Sequence, residues 1–170
     1  MLSKEQIIKY LKQIGKELSV QKLRGEILLT GGAVMCLVHE ARDSTKDIDA
    51  LYEPKSVINK IALQIAEDNN LPTNWLNDGV KGFMSDRAGV EDYVVFAGLS
   101  IQTVTPEYLL AMKLMSARYG ETDYEDIRFL LKKIGINTVP EAIELLKLYF
   151  PFNLILPKTM YLLEEILERM

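Results

Sequence analysis

The chain has 170 residues and a formal charge of −4 at pH 7. With 48% hydrophobic and 26% charged residues, it is long and apolar enough to bury a compact core. The modest negative charge disfavours a protein that binds nucleic acid by electrostatics alone, although it leaves room for a local basic groove. The single cysteine, Cys36, excludes an intramolecular disulfide and is predicted to be a buried thiol.

The N-terminal stretch predicts a packing helix rather than a targeting signal. Ser3 and Gln6 match a capping box, and apolar residues recur at helical spacing from Ile7 to Leu18. The first residues do not resemble a secretion signal, and no apolar run is long enough to cross a bilayer. We therefore expect a cytoplasmic protein with no membrane partner.

Chemically informative residues are concentrated between Leu28 and Tyr52, where the pattern predicts strand, glycine turn, helix, polar loop and strand. Gly31 and Gly32 follow an apolar run, and the helix is expected over residues 33–39. Without a Cβ, the two glycines let backbone N–H groups approach an anion, and the helix N-terminus adds a favourable field. The pattern predicts a phosphate-binding turn.

Two acids follow the glycines at strand spacing. Asp47 and Asp49 flank the apolar Ile48, so strand alternation would turn both carboxylates to one face. Like charges on one face repel each other, and a divalent cation such as Mg²⁺ or Mn²⁺ makes the arrangement useful because carboxylate oxygens bind it. A phosphate-binding turn beside a metal-binding acid pair indicates nucleotide chemistry.

The polar loop before the acid pair carries Arg42 and Lys46. Either cation could contact a triphosphate, and arginine offers a bidentate fork for phosphate oxygens. Alternatively, either could neutralise Asp43, Asp47 or Asp49 in the resting protein. The sequence leaves both alternatives open.

The second half of the chain predicts a helix after Pro54, a hairpin and then more helices. The hairpin pairs residues 92–96 with 99–104 around an Ala97-Gly98 turn. Trp75, in the less regular stretch before it, is interpreted as a core anchor in preference to a base-stacking platform.

A helix predicted over residues 106–118 is apolar almost all round, yet it contains Lys113. Lysine is rarely buried without a partner, so Lys113 must either reach solvent or meet an anion. A turn at Gly120 and a capping box of Thr122 and Glu125 predict the next helix, which has Asp126 near its beginning.

Residues 138–170 predict a helical C-terminal extension, with Thr138 and Glu141 as a further capping box and a last helix over residues 161–170. We expect one domain over residues 1–137 and this extension over 138–170. The apolar faces of the extension could dock on the core or on a second protein.

The residues also carry a family resemblance. Gly31-Gly32 followed by Asp47-Ile48-Asp49 resembles the signature of the nucleotidyltransferase superfamily related to DNA polymerase beta. The strings RDSTKDIDAL, PEYLLAMKLMSAR and DYEDI, which begin at Arg42, Pro106 and Asp123, resemble the AbiEii/MenA-like group, which includes toxins of toxin–antitoxin systems. The resemblance covers about residues 25–131.

The resemblance implies a mixed α+β nucleotidyltransferase fold, with a small mixed sheet flanked by helices. It implies an enzyme that moves a nucleoside monophosphate from a nucleoside triphosphate to an acceptor, either RNA such as tRNA or a protein, with an antitoxin as a further partner. Asp47 and Asp49 would bind Mg²⁺, while Gly31, Gly32 and Lys113 would hold the triphosphate. Asp126 would act as a base on the acceptor hydroxyl or pair with Lys113.

The sequence departs from the superfamily at the third strand acid. Gln102 or Thr103 occupies the expected place, and Glu91 or Asp92 could substitute only if the hairpin register brings one of them round. Either one metal suffices, the acid comes from elsewhere, or activity is weak or lost. The alternatives to an enzyme are a non-catalytic module that binds nucleotide, RNA or a partner protein, and an antitoxin or scaffold whose C-terminal helices form an interface.

Overall fold

The computed structural model describes residues 1–116 and 121–170, without the side chains of residues 121 and 122. The described chain is an α+β protein with mixed strand pairing, as predicted. The strands are β1 (Leu2–Ser3), β2 (Gly25–Leu29), β3 (Ser44–Thr45), β4 (Ile48–Glu53), β5 (Leu76–Asn77), β6 (Val90–Phe96) and β7 (Leu99–Val104). The α-helices are α1 (Lys4–Val20), α2 (Gly31–Leu37), α3 (Lys55–Asn69), α4 (Pro106–Ser116), α5 (Glu121–Ile134), α6 (Val139–Tyr149) and α7 (Pro157–Glu168).

The chain forms two compact units. The first unit comprises residues 1–82 and 90–104, and the second comprises residues 83–89 and 105–170. These units are contact clusters and do not test the domain boundary expected at residue 138, which stays a prediction.

The main sheet belongs to the first unit and has the strand order β5-β4-β2-β7-β6. β2 pairs with β4 antiparallel and with β7 parallel, whereas β6 and β7 form the predicted antiparallel hairpin. The strand order differs from the chain order because β7 of the hairpin pairs with β2 on the side opposite to β4. A separate two-stranded ladder joins β1 to β3.

Burial alternates along the central strands and gives the sheet two unlike faces. On β4, Ile48, Ala50 and Tyr52 are buried, while Asp49 and Leu51 are only half-buried. The helices α1 and α3 contact the strands and supply apolar partners for the sheet. Asp49 therefore lies on the more open face, as alternation along a strand requires.

The packing of the first unit follows the sequence patterns closely. The predicted capping box of Ser3 and Gln6 begins α1. Trp75 is buried, donates its indole N–H to Ala62 O at 2.9 Å and lies edge-on to Tyr10, so it is a core anchor. Cys36 is buried, and desolvation raises the pKa of its thiol, which confirms a core thiol.

The second unit is built from the helices α4 to α7. Both α5 and α6 contact α4, while α7 contacts α5 and α6 and donates a hydrogen bond from Thr159 Oγ1 to Leu114 O at 3.3 Å. The C-terminal helices thus dock within this unit. The preceding loop is held by Ser85, whose N–H donates to the Tyr108 hydroxyl at 2.6 Å and whose hydroxyl donates to Tyr149 O at 2.7 Å.

Several element boundaries differ from the expectations. The helix after the glycines includes Gly31 and Gly32, Asp47 precedes β4 instead of lying in it, and Pro54 is the N-cap of α3. The last helix begins at Pro157 instead of Tyr161, because a proline fits the first helical turn.

Two expectations on the segment joining α4 to α5 lie outside the described residues, namely the end of the helix at Arg118 and the turn at Gly120. The capping box of Thr122 and Glu125 rests on the Thr122 side chain, which also lies outside the description. Over the described part of the chain, no helix combines the length and apolar character needed to cross a membrane.

Candidate functional site at the glycine turn

The first glycine of the pair brings the backbone against an acid. Gly31 has φ +58°, a left-handed conformation that side chains with a Cβ rarely adopt. A Cβ atom at this position would also lie 3.1 Å from Asp49 Oδ2. The carboxylate of Asp49 therefore lies directly beside the turn, as the sequence pattern predicts.

The second glycine makes room for two side chains of the polar loop. A Cβ atom at Gly32 would lie 2.4 Å from Thr45 Oγ1 and 3.1 Å from Arg42 Nη1. Thr45 is buried and donates its hydroxyl to Asp47 O at 3.2 Å, so it has little freedom to move. The loop is thereby folded back onto the turn.

Pairing between β2 and β4 fixes Asp49 in this position. The backbone N–H of Thr30 donates to Asp49 O at 2.9 Å, and its buried hydroxyl contacts the same oxygen at 3.2 Å. Leu29 pairs with Ala50 in the ladder immediately before this point. The Asp49 carboxylate is thus attached to backbone that is hydrogen-bonded between β2 and β4, and this pairing limits how far the carboxylate can move.

The two acids flank a fully buried residue. Ile48 is wholly buried, while Asp47 and Asp49 are each half-buried. Because Asp47 precedes β4, strand alternation applies to Ile48 and Asp49 and does not fix the direction of the Asp47 side chain. Mg²⁺ is usually bound by one or two carboxylates together with water and substrate phosphates. Among the residues that the structure describes, no three His, Cys, Asp or Glu side chains form a group that could hold a metal ion. Carboxylates are of the donor type that Mg²⁺ prefers, and the structure places that of Asp49 beside the turn; magnesium binding by Asp47 and Asp49 stays a prediction.

The two cations of the loop have different environments. Arg42 is half-buried with Nη1 beside Gly32, whereas Lys46 is exposed. Arg42 and Asp49 therefore lie against adjacent residues of the same turn. This position is compatible with neutralising the acid and with contacting a phosphate, so both alternatives for Arg42 stay open.

The hairpin register removes Asp92 as a third metal ligand. Asp92 pairs with Gln102, and Gln102 pairs with Leu28 of β2, so three strand spacings, or roughly 14 Å, separate Asp92 from the line of β4. Two ligands of one Mg²⁺ ion lie within roughly 4 Å of each other. The amide of Gln102 instead donates to Asp92 Oδ1 at 2.8 Å. Asp92 therefore cannot bind the same Mg²⁺ ion as Asp49.

The nearest strand neighbour of Asp49 on the other side is Asn77, to which the sequence assigns no role. Asp49 pairs with Asn77 in the parallel ladder of β4 and β5. The side chain of Asn77 accepts a hydrogen bond from the N–H of Gly79 at 3.0 Å. Thr45 was likewise missed as a side chain of the turn. The place of neither residue beside Asp49 or the turn could be predicted from the sequence, because both positions depend on how the loop and β5 return to the sheet.

An ion pair follows Asn77 at the edge of this region. Lys55, in the first turn of α3, donates a hydrogen bond to Asp78. That bond lowers the pKa of the Asp78 carboxyl and raises the pKa of Lys55. The pairing ties the segment after β5 to α3.

Lys113 and Asp126 belong to the second unit, where they form a buried ion pair. Lys113 Nζ lies 2.6 Å from Asp126 Oδ2 and 3.3 Å from Asp123 Oδ1. The side chains of Lys113 and Asp126 are 9% and 5% exposed, whereas Asp123 is 37% exposed. Lys113 thus meets internal anions, as one of the sequence alternatives predicts. Its expected contact with nucleotide phosphate stays a prediction.

Comparisons of the chain with protein-family models, curated proteins and solved structures find no match.

Proposed function

We propose that this protein is a Mg²⁺-dependent nucleotidyltransferase, which moves a nucleoside monophosphate from a nucleoside triphosphate to an RNA or protein acceptor. The observation that carries the proposal is the assembly of Asp49, Arg42 and Thr45 around Gly31 and Gly32. An acid, a cation and a hydroxyl around a backbone without Cβ atoms suit a phosphate and its counter-ion. We further propose that the fold is that of the nucleotidyltransferase superfamily.

In the proposed reaction, the chain contributes positioning and charge neutralisation. Gly31 and Gly32 give the triphosphate close access to the backbone, and Arg42 neutralises part of its charge. Asp47 and Asp49 would hold Mg²⁺, which when bound supplies positive charge to the phosphate oxygens. An acceptor hydroxyl attacks the α-phosphorus, and pyrophosphate leaves with the electrons of the bond that breaks.

The roles of Lys113 and Asp126 in this proposal come from the sequence resemblance. The carboxylate of Asp126 would accept the proton of the acceptor hydroxyl, and Lys113 would bind phosphate. In the structure each is the other's ion-pair partner at 2.6 Å. Two carboxylates contact Lys113, so an incoming phosphate would have to compete with Asp126 and Asp123 for it.

The test is a transfer assay with each α-labelled nucleoside triphosphate, Mg²⁺ and total tRNA, comparing the parent with Asp49→Asn. Asp92→Asn is the matched control, because it is an aspartate of the same sheet that lies three strands away. We expect Asp49→Asn to reduce transfer by about 100-fold or more, as for the loss of one electrostatic contact to a transition state. Unchanged transfer by Asp49→Asn would contradict the proposal.

The second unit needs its own comparison. Lys113→Ala should abolish transfer, whereas Lys133→Ala, at an exposed lysine of α5, should leave it unchanged. Equal loss in both variants would indicate a general effect on stability and would argue against a specific role for Lys113.

A non-catalytic nucleotide-binding module is the second candidate, and the pairing of Gln102 with Asp92 favours it. That pairing leaves the described residues without a third acid near Asp49. Such a module would bind triphosphate with Mg²⁺ in calorimetric titration yet give no transfer to RNA or to protein. Two results together would support this candidate: triphosphate binding that is lost in Asp49→Asn, and no detectable transfer in any assay.

A further inference from the structure

An open groove runs between α1 and the turn of the β6–β7 hairpin, away from the glycine turn. Its volume is about 420 Å³. The groove is lined by Lys12, Lys16, Ser19, Val20, Phe96 and Ala97. Lys12, Lys16 and Ser19 recur at helical spacing on one side of α1, so they face the same groove. None of these lining residues is acidic.

Next to the groove, α1 and the hairpin turn meet through a contact between two backbones. A Cβ atom at Gly15 would lie 2.5 Å from Ala97 O, and one at Gly98 would lie 2.4 Å from Gly15 O. Gly98 also has φ +74°. Helix and turn therefore approach as closely as glycine allows, and the spacing between their backbones is set before any ligand arrives. A fixed spacing lowers the entropic cost of binding.

The lining combines positive charge with apolar and aromatic surface. Lys12 Nζ lies 5.5 Å from the centroid of the half-buried Phe96 ring. Val20, at the end of α1, is 71% exposed. Lys12 and Lys16 are both exposed on successive turns. This lining suits a ligand that carries more than one anionic group and a flat apolar ring.

The groove and the glycine turn lie at opposite ends of the same strand. The hairpin turn sits beside Gly25, which pairs with Leu99, whereas the glycine turn follows Leu29. At about 3.3 Å per residue, the length of β2 separates the two sites by roughly 17 Å. One nucleotide cannot occupy both, so any ligand of the groove is distinct from a nucleotide bound at the glycine turn.

We propose that this groove binds single-stranded nucleic acid, with one base stacked on Phe96 and flanking phosphates on Lys12 and Lys16. Aromatic side chains beside cations are how proteins hold single strands without reading their sequence. A strand supplies the repeated phosphates that two lysines on successive turns require, and a mononucleotide supplies fewer. The proposal concerns binding alone and does not rest on the proposed transfer reaction.

The test measures the fluorescence anisotropy of a labelled ten-nucleotide uridine RNA with the full chain, between 50 and 200 mM salt. Each phosphate contact of a single strand contributes about 0.7 to the slope of log affinity against log salt. Lys12→Gln/Lys16→Gln should therefore reduce the magnitude of that slope by about 1.4. The charge-matched control Lys60→Gln/Lys132→Gln changes two exposed lysines outside the groove and should leave the slope unchanged.

Phe96 provides a second, uncharged readout. Phe96→Ala should weaken binding by about fivefold or more, with an unchanged salt slope, because stacking does not release counter-ions. Since Phe96 is half-buried, Phe96→Leu retains apolar volume without the aromatic face. It keeps the test valid if the alanine variant fails to fold.

Three outcomes would overturn the proposal. The first is no binding of the RNA at 50 mM salt. The second is an equal loss of affinity in the groove variant and its charge-matched control. The third is a parent chain that prefers an acidic peptide, or uridine monophosphate, to the ten-nucleotide strand. The proposal is supported if the parent binds the strand and only the groove variant has a smaller slope of log affinity against log salt. This holds whether or not nucleotide transfer occurs.

Discussion

The buried ion pair of the second unit gives the sharpest prediction, because its partners can be removed singly or together. The side chains of Lys113 and Asp126 are 9% and 5% exposed. Removing one partner of such a pair leaves an uncompensated buried charge and typically costs about 3–5 kcal/mol. We expect Lys113→Met to lower the free energy of unfolding by about that amount.

Asp126→Leu should cost less than Lys113→Met, since Asp123 remains 3.3 Å from the lysine and is itself 37% exposed. Lys113→Met/Asp126→Leu removes both buried charges. Apolar replacement of a whole buried pair is often neutral or stabilising, so the double variant should be more stable than Lys113→Met. The two single losses would then sum to more than the loss in the double variant.

Urea denaturation followed by circular dichroism measures each free energy of unfolding. A loss below about 1 kcal/mol in Lys113→Met would refute the reasoning, because it would mean that Asp126 is well solvated without the lysine. The double variant also separates stability from function. If it folds as well as the parent and has lost transfer, the pair serves chemistry and is not needed for folding.

Three further predictions follow from the first unit and the C-terminal helices. Gly32→Ala should cost about 1–3 kcal/mol of stability by overpacking against Thr45 Oγ1, and Gly32→Ala/Thr45→Ala should regain part of that loss in the same urea titration. The hydrogen bond from Lys55 lowers the pKa of Asp78. The parent should therefore have a higher free energy of unfolding than Asp78→Asn, and this difference should reach its full size above the ordinary pKa of 3.8. This difference between the two free energies of unfolding should vanish as the pH falls through the lower folded-state pKa, and a difference that persists at the lowest pH would contradict the assignment. Thr138→Ala should cost about 1 kcal/mol, measured by thermal unfolding, because it breaks the capping box of α6; an unchanged midpoint would show that the cap contributes nothing.

The features that depend on neighbouring residues could be predicted from the sequence. Apolar spacing and the glycine pair predicted the hairpin and the approach of Asp49 to the turn, and the family resemblance implied the mixed α+β class; these are present in the structure. The capping patterns of Ser3 and Thr138 begin the helices they predicted. Each of these signals acts over a few residues, which is why a single sequence carries it.

The features that depend on strand order could not be predicted. Whether Asp92 could join Asp49 depended on the number of strands between β4 and β6, and alternation along a strand carries no information about that number. The same holds for Asn77, which became a neighbour of Asp49 through the short ladder of β4 and β5. For Lys113, the sequence predicted an internal anion and gave Asp126 as one alternative; the structure contains that ion pair and adds Asp123, which the sequence did not identify as a partner.

The parallel pairing of β2 with β7 has a consequence for synthesis of the chain. Leu29 pairs with Thr103, roughly 70 residues later in the sequence. At about 5–20 residues per second, the ribosome needs several seconds to supply that partner. During this interval one edge of β2 has unpaired backbone groups, which can recruit other nascent chains. Closing this edge is therefore a late folding event, and it must wait until the hairpin has emerged.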